Sequence, residues 1–360
     1  ARLVIQSMAD GGFITAEEAA AAIDRPAEAK TDSYLSAKNF VIDWIGEQLP
    51  EFVKDYQQSL VVETTIDPAL QNSAELAVAT ELSAQGTKLK ASQGAMVVMD
   101  GSGAVLAMVG GKSYKKSQFN RATMALRQPG STFKLIPYLV ALERGRRPGD
   151  PISCAPLRWR GQSFASGCQG SLSLVSAFAT SSNTAALRLA QQLGLDGLVL
   201  KARDLGITSP LAAVPGLALG QSELTLLELT AAYGAIANDG TWQPPTTIRR
   251  LTDGEACTGS PDSCRRSSLA QPGRRVTSVA TARAMQQLLR AVVQRGTGQM
   301  ASVGGQEGGK TGTTNDSRDL LFIGYEPQRR WVMGIWLGND DNSPTRASSA
   351  LAASLWGEII

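Results

Sequence analysis

The chain has 360 residues and not one histidine. A serine hydroxyl is a weak nucleophile at neutral pH and needs a base beside it, most often histidine. With none present, a Ser-His-Asp triad is excluded, and any serine chemistry must draw on lysine, a carboxylate or a metal-bound species. No run of about 18 apolar residues occurs, so no segment reads as a membrane-spanning helix. The chain also lacks an initiator methionine and a signal-like start, so it reads as a piece of a longer protein, with any membrane anchor in the missing N-terminal part. Excess charge of one sign is absent as well. Thirty-five Lys and Arg against 32 Asp and Glu leave +3, with a pI near 8.7. Basic residues are scattered apart from short runs such as Arg265-Arg266 and Arg329-Arg330, which read as solvated faces, and nucleic acid is not an expected partner.

Cysteine is scarce too. The four present fall in two local pairs, Cys154 with Cys168 and Cys257 with Cys264, each bracketing a loop-like stretch rich in Gly, Ser and Pro. Zinc is the competing reading, but the spacings are not of the short Cys-x-x-Cys type and no histidine can complete a site. Two local disulfides, hence an oxidising compartment, are the expectation, with free buried thiols as the alternative. No metal and no cofactor are expected.

What is present begins with Ser131 and Lys134, three residues apart in Arg127-Gln128-Pro129-Gly130-Ser131-Thr132-Phe133-Lys134. Pro129-Gly130 breaks the preceding segment, and Phe133, Ile136, Val140 and Leu142 recur at roughly helical spacing, so Ser131 reads as the first turn of a helix. Residues three apart share a helix face, which brings the Lys134 amine within reach of the Ser131 oxygen. Free N–H groups at the helix start lie beside it and suit an oxyanion. Spacing alone proves little: Ser113 and Lys116 have the same spacing in Gly110-Gly111-Lys112-Ser113-Tyr114-Lys115-Lys116, where nothing predicts a helix start and a solvated basic loop is the reading.

The first 60 residues or so read as helical and polar, with a helix start at Thr15-Ala16-Glu17-Glu18. Val61 to Thr65 reads as a strand, then Asp67 and Pro68 open a helix running to about Leu82. Gly94 to Met99 and Ala104 to Val109 form a hairpin across Asp100-Gly101-Ser102-Gly103. Helical patterns dominate from Ser131 to about Ala237, with few strand signals. A Gly-, Pro- and Cys-bearing stretch follows from about Gly240 to Gly273, then a helix from Val279 to about Gln294. Strands are expected at Gly309 to Thr313, Leu320 to Tyr325 and Trp331 to Leu337, with a closing helix from Ser348. This order describes an α+β fold: an antiparallel sheet of about five strands built from both ends of the chain and flanked by helices, a mainly helical subdomain between, and an active site where the two meet.

Two further motifs supply partners. Ser181-Ser182-Asn183 falls between two helical patterns, where a short loop can aim a hydroxyl and an amide into a cleft; Ser181 can pass a proton and Asn183 can bond a peptide carbonyl. Lys310-Thr311-Gly312-Thr313-Thr314 heads a strand, with a cation, hydroxyl donors and a glycine that permits close approach, an edge suited to an extended peptide ending in a carboxylate. Gly304 to Thr311 also matches a phosphate-loop pattern, but that loop should lead from a strand into a helix, and β-rich sequence follows instead.

All three motifs occur in chain order. Together they resemble the serine transpeptidase domain of penicillin-binding proteins, with a Ser-x-x-Lys helix start, a Ser-x-Asn loop and a Lys-Thr-Gly strand. Phe119 to Thr123, Arg127 to Ser131, Leu219-Gly220, Gly296-Thr297-Gly298, Gly309 to Asp316 and Arg318-Asp319 resemble the class A, bifunctional branch more closely. Upstream, Gly12 to Thr15 with Glu17-Glu18, and Val62 to Asp67, are similar to the linker after that branch's glycosyltransferase domain, which is absent here. Leu320-Leu321-Phe322 departs from the pattern where an aromatic is common. The resemblance implies residues 1–60 as linker region and 61–360 as transpeptidase domain of penicillin-binding protein and serine β-lactamase type. It implies Ser131 as nucleophile on the D-Ala-D-Ala bond of a peptidoglycan stem peptide, a neutral Lys134 as base, Ser181 as proton shuttle, and a charged Lys310 organising Ser181 and the substrate carboxylate. Asn183, Thr311, Gly312, Thr313 and Thr314 would bind substrate, with Ser131 and Thr313 N–H groups as oxyanion donors. Expected partners are stem peptides as donor and amine acceptor, β-lactams that acylate Ser131, and cell-wall synthesis machinery, at the periplasmic or extracytoplasmic face of a bacterial inner membrane. Competing readings are a D,D-carboxypeptidase, a β-lactam sensor, and a β-lactamase. The last needs a deacylating glutamate, and Glu223, Glu228, Glu255 and Glu307 are the candidates between the second and third motifs. None has the expected setting, and Glu223 and Glu228 read as solvated helix positions.

Overall fold

The computed structural model describes residues 2–24, 38–52, 60–253, 266–268 and 272–360. Two compact units divide the chain, Ala1–Ser36 and Ala37–Ile360. In the first, helices span Arg2–Asp10 and Ala16–Asp24. The second of these starts at the expected place: Glu18 N–H donates to Thr15 Oγ1 at 3.2 Å while the Glu18 carboxylate accepts from Thr15 N–H at 2.8 Å, a reciprocal capping box.

The second unit is built on a five-stranded antiparallel sheet in the order Gly308–Thr313, Asp319–Glu326, Trp331–Gly338, Gln93–Asp100, Val105–Val109. The strands are apolar on both faces because both are covered. Period-2 alternation sends Ala95, Val97, Leu321, Ile323 and Val332 to one side, under the helices Leu226–Ala237 and Val279–Arg295, and Met96, Val98, Leu320, Phe322 and Met333 to the other, under Pro68–Ala84 and Ala350–Ile359. Asp67 caps the Pro68–Ala84 helix by accepting from Ala69 and Leu70 N–H at 2.9 and 3.1 Å. The helix Lys38–Phe52, in the region read as linker, contributes Val41, Trp44 and Ile45 to the larger core.

Between the sheet's two halves lie Leu135–Glu143, Leu174–Ala179, Asn183–Leu193 and Leu195–Asp204. Their patterns are those expected. The sequence reading missed small sheets: Pro151–Ser153 pairs with Ser171–Ser173 and Leu157–Trp159 with Gln162–Phe164, and the expected strand at Leu60–Thr64 finds an unexpected partner in Ile248–Asp253. The two pairings between residues 151 and 173 use strands of three residues, too short to show a period, and they frame the Cys154–Cys168 disulfide. Cys257, Cys264 and Glu255 lie outside the described residues.

Candidate functional site

Ser131 sits in a turn that differs from the expected one. Gly130–Lys134 is a 3-10 helix, and the α-helix Leu135–Glu143 follows it. In a 3-10 turn, residues three apart lie directly above one another, so this geometry aligns Ser131 and Lys134 better than an α-helix does. The turn is held by backbone contact. Gly130 has φ +52°, and a Cβ there would meet Thr313 O at 2.9 Å; a Cβ on Gly312 would meet Pro129 O at 2.5 Å. The nucleophile turn therefore lies against the Gly308–Thr313 edge strand, with the N–H groups of Ser131 and Thr313 as near neighbours. Tyr233 donates from its hydroxyl to Thr132 O at 2.7 Å and ties the turn to the sheet-covering helix. Just upstream, Arg127 lies 4.8 Å over the Trp336 ring and 3.7 Å from Asp319, while Trp336 Nε1 donates to the same carboxylate at 2.9 Å.

Ser181 reaches the same place by a different device. The Leu174–Ala179 helix ends with Ser181 N–H donating to Phe178 O at 3.0 Å and Ser182 N–H to Ala177 O at 2.8 Å, the paired bonds of a Schellman cap. The left-handed position of such a cap normally takes glycine, yet Ser181 occupies it at φ +57°. A serine held in that backbone region costs roughly 1–3 kcal/mol, and such outliers concentrate where a side chain must point one way. Here the hydroxyl sits between two lysine amines, 3.1 Å from Lys134 Nζ and 3.0 Å from Lys310 Nζ.

Both lysines are wholly buried. Lys134 donates to Ser181 O at 2.6 Å and to Asn183 Oδ1 at 2.5 Å. A neutral amine has two N–H donors and one lone pair, so those two acceptors leave the lone pair for a hydroxyl. Burial pushes the Lys134 amine down to about 7. Lys310 donates to Thr311 O at 3.0 Å and lies 5.8 Å from the centre of the Phe178 ring. Its amine is lowered well below the ordinary lysine value, first by burial and then by the Lys134 charge. The permanently charged Lys310 expected from the sequence therefore needs qualification: among the described residues no carboxylate pairs with either lysine, and this pocket disfavours two ammonium groups side by side.

Of the other expected residues, Asn183 is exposed and its carbonyl oxygen accepts from Lys134. Thr311 is buried and Thr313 exposed at the strand end. Thr314 holds the turn: its hydroxyl donates to Asp319 Oδ2 at 3.1 Å and accepts from Asp319 N–H at 2.9 Å. Thr297 was not among the expected residues. Its hydroxyl lies 2.5 Å from that of Thr311 and its N–H donates to Ala179 O, so the Gly296-Thr297-Gly298 turn joins the Ser181 helix to the Lys310 strand; the glycines flanking it were the available signal.

The glutamates also move from their expected settings. Glu228 is no solvated position: it accepts from Thr208, Ser209 and Thr225, and hydrogen bonds hold its carboxyl low against burial. Glu307 is likewise held low by Val303, Ser302 and Gly305. Neither is tuned as a base.

The family described as penicillin binding protein transpeptidase domain matches residues 94–360. Penicillin-binding protein 1A of Aquifex aeolicus is 37% identical over 69% of this chain and 34% of its own length. Penicillin-binding protein 1B of Vibrio cholerae is 31% identical over 98% of this chain and 47% of its own. The chain thus spans between about a third and a half of these curated relatives. Among solved structures, PonA1 of Mycobacterium tuberculosis in complex with penicillin V superposes with a TM-score of 0.76 at 25% identity, covering 89% of this chain and 92% of that one. Penicillin-binding protein 1A of Haemophilus influenzae shares the fold, with a TM-score of 0.76 at 21% identity over 99% of this chain and 75% of that one. A family match across the sheet, the helical insertion and all three motifs leaves one conclusion: the chain belongs to the penicillin-binding protein transpeptidase family.

Proposed function

We propose that this chain is the serine D,D-transpeptidase part of a bifunctional, class A peptidoglycan synthase. Residues 61–360 carry the activity, and residues 1–60 link it to a glycosyltransferase domain outside the chain. The observation that carries this is the buried Lys134 amine, lowered to about 7, three residues after Ser131 and bonded to Ser181 and Asn183.

In this reading Lys134 takes the Ser131 proton as Oγ attacks the carbonyl between the terminal D-alanines of a stem peptide. The oxyanion develops against the N–H groups of Ser131 and Thr313. Ser181, bridging both amines, relays the proton to the departing D-alanine nitrogen, leaving an ester on Ser131. The amine of a second stem peptide then attacks that ester, the C–O bond breaks and the new amide closes the cross-link. Thr311 and Thr313 hold the donor's terminal carboxylate. That carboxylate also sets a negative charge near Lys310, raising its amine again, so substrate binding sets the charge state the reaction uses. The Asn183 NH2 group meets a donor carbonyl. A β-lactam acylates Ser131 in the same way and stays, because among the described residues neither Glu228 nor Glu307 is tuned to activate water. The setting is the periplasmic or extracytoplasmic side of a bacterial inner membrane, with the anchor upstream; among the described residues no helix is long and apolar enough to cross a membrane.

Fluorescent penicillin should label Ser131 covalently and persistently, and lipid-linked precursor given to the intact protein should yield cross-linked peptide with release of D-alanine. Labelling that survives Ser131→Ala, or rapid hydrolysis of the drug by wild type, defeats the assignment.

A further inference from the structure

Five of the chain's eleven lysines, Lys88, Lys90, Lys112, Lys115 and Lys116, fall within 29 residues on the two segments that flank the Gln93–Val109 hairpin. Among the described residues none of the five forms an ion pair, whereas arginines supply most of the pairs elsewhere. Lys90, Lys112 and Lys116 line one cleft of about 570 Å³ whose wall has no carboxylate and is otherwise mostly small, hydroxyl and amide side chains. The sequence suggested a solvated loop here, but the loop is held. The buried Arg121 guanidinium donates to Gly110 O, Phe119 O and Ser117 Oγ while pairing with both oxygens of Asp340. At the loop's centre the Tyr114 hydroxyl donates to Asp43 at 2.6 Å. Lys112 Nζ is fixed on Leu82 O at 3.1 Å.

The cleft opens at the same end of the sheet as the nucleophile. Thr313 stands opposite Leu320, Leu320 opposite Leu337 and Leu337 opposite Gly94. Three strand spacings of about 4.8 Å put it about 14 Å across the sheet from Thr313. A second cleft, of about 710 Å³, runs from Gln128 and Thr314 beside the site to Phe119, Asp340 and Asn342. The loops at 113–119 and 339–343 line both clefts, which sets the lysine cleft beside one that reaches Gln128 and Thr314 and whose wall, unlike its own, carries Glu223, Asp316, Asp319 and Asp340 as well as Arg127 and Arg318.

We propose that the Lys90, Lys112 and Lys116 cleft binds carboxylates of a peptidoglycan strand, outside the acylation centre, and so holds the polymer while its stem peptides react. This rests on the transpeptidase reading. Lysine is a compact, hydrated point charge on a flexible stem, suited to catching several carboxylates in varied geometry. A lipid surface fits less well, since no large exposed apolar side chain lines the cleft to enter a bilayer.

The test uses the whole chain with Ser131 already acylated by penicillin, so that retention on peptidoglycan sacculi reports sites other than the reaction centre. Lys90→Gln/Lys116→Gln is compared with Arg329→Gln/Arg330→Gln, an equal loss of charge at the opposite end of the sheet; Lys112 stays because it bonds the backbone. The lysine variant should be retained about 3- to 10-fold more weakly, a gap that shrinks with salt and vanishes on sacculi whose carboxylates have been amidated. Its penicillin acylation rate should match wild type, which shows the fold intact. Equal retention of wild type and lysine variant, an equal loss in the arginine variant, or a loss seen only on anionic phospholipid vesicles each overturns the proposal. Failure of wild type to take penicillin at Ser131 overturns the transpeptidase reading instead, a separate readout.

Discussion

A lysine amine stripped of water holds its proton weakly, and two of them sharing one hydroxyl hold theirs more weakly still. Lys134 has only its burial to answer for a value near 7, whereas Lys310 feels Lys134 as well. If the neutral Lys134 amine is the base, acylation of Ser131 by penicillin should climb about tenfold per pH unit below that value and level off above it. A rate constant flat from about pH 5 to 9, measured by stopped-flow labelling, would remove Lys134 from that role. Stability should follow the same sign. Between about 7 and the ordinary 10.5 the unfolded chain binds more protons than the folded one, so the Lys134 contribution to stability improves as pH rises through that window and is least favourable below it. Of these residues, Ser131, Lys134 and Lys310 were legible because their spacing and neighbours carry the chemistry. The lowered Lys310 was not, since its proton affinity depends on a second amine 176 positions upstream that only folding brings near.

At the scale of elements, the site depends on how closely a 3-10 turn approaches an edge strand. A methyl group at Gly312 would sit 2.5 Å from Pro129 O, and backbone cannot step aside as a side chain can. Gly312→Ala should therefore displace the nucleophile turn by a fraction of an ångström to about 1 Å, lowering the acylation rate constant by about 10²-fold. The thermal midpoint should move by only a few degrees. An acylation rate within twofold of wild type would mean that the two elements do not position each other. The strand, the loop and the helix after Ser131 were readable from periodicity and turn residues. The 3-10 form of the first turn was not, because i→i+3 and i→i+4 bonding share one sequence pattern and the choice falls to the strand pressed against Gly130.

At the scale of the whole molecule, the sheet separates two apolar clusters, one against each of its covered faces. Trp356 of the closing helix is fully buried and packs edge-on against Phe322, centroids 5.5 Å apart, on the face away from the nucleophile. Trp356→Ala should cost about 3–5 kcal/mol, read as a lowered urea midpoint, while the pH at which acylation is half-maximal stays where it was. A shift in that pH would show that the two faces are coupled through the sheet. The sequence by itself determined the five-stranded sheet and its helical insertion, because apolar runs of strand length and helical periods are local properties of neighbouring residues. It also determined that any serine base here is not histidine. Tertiary structure alone decided that Lys134 and Lys310 meet at one hydroxyl, that Ser181 sits in a glycine's conformation to bridge them, and that a basic loop lines a cleft. The reason is physical: burial and charge proximity are sums over residues far apart in the chain, and no local pattern contains them.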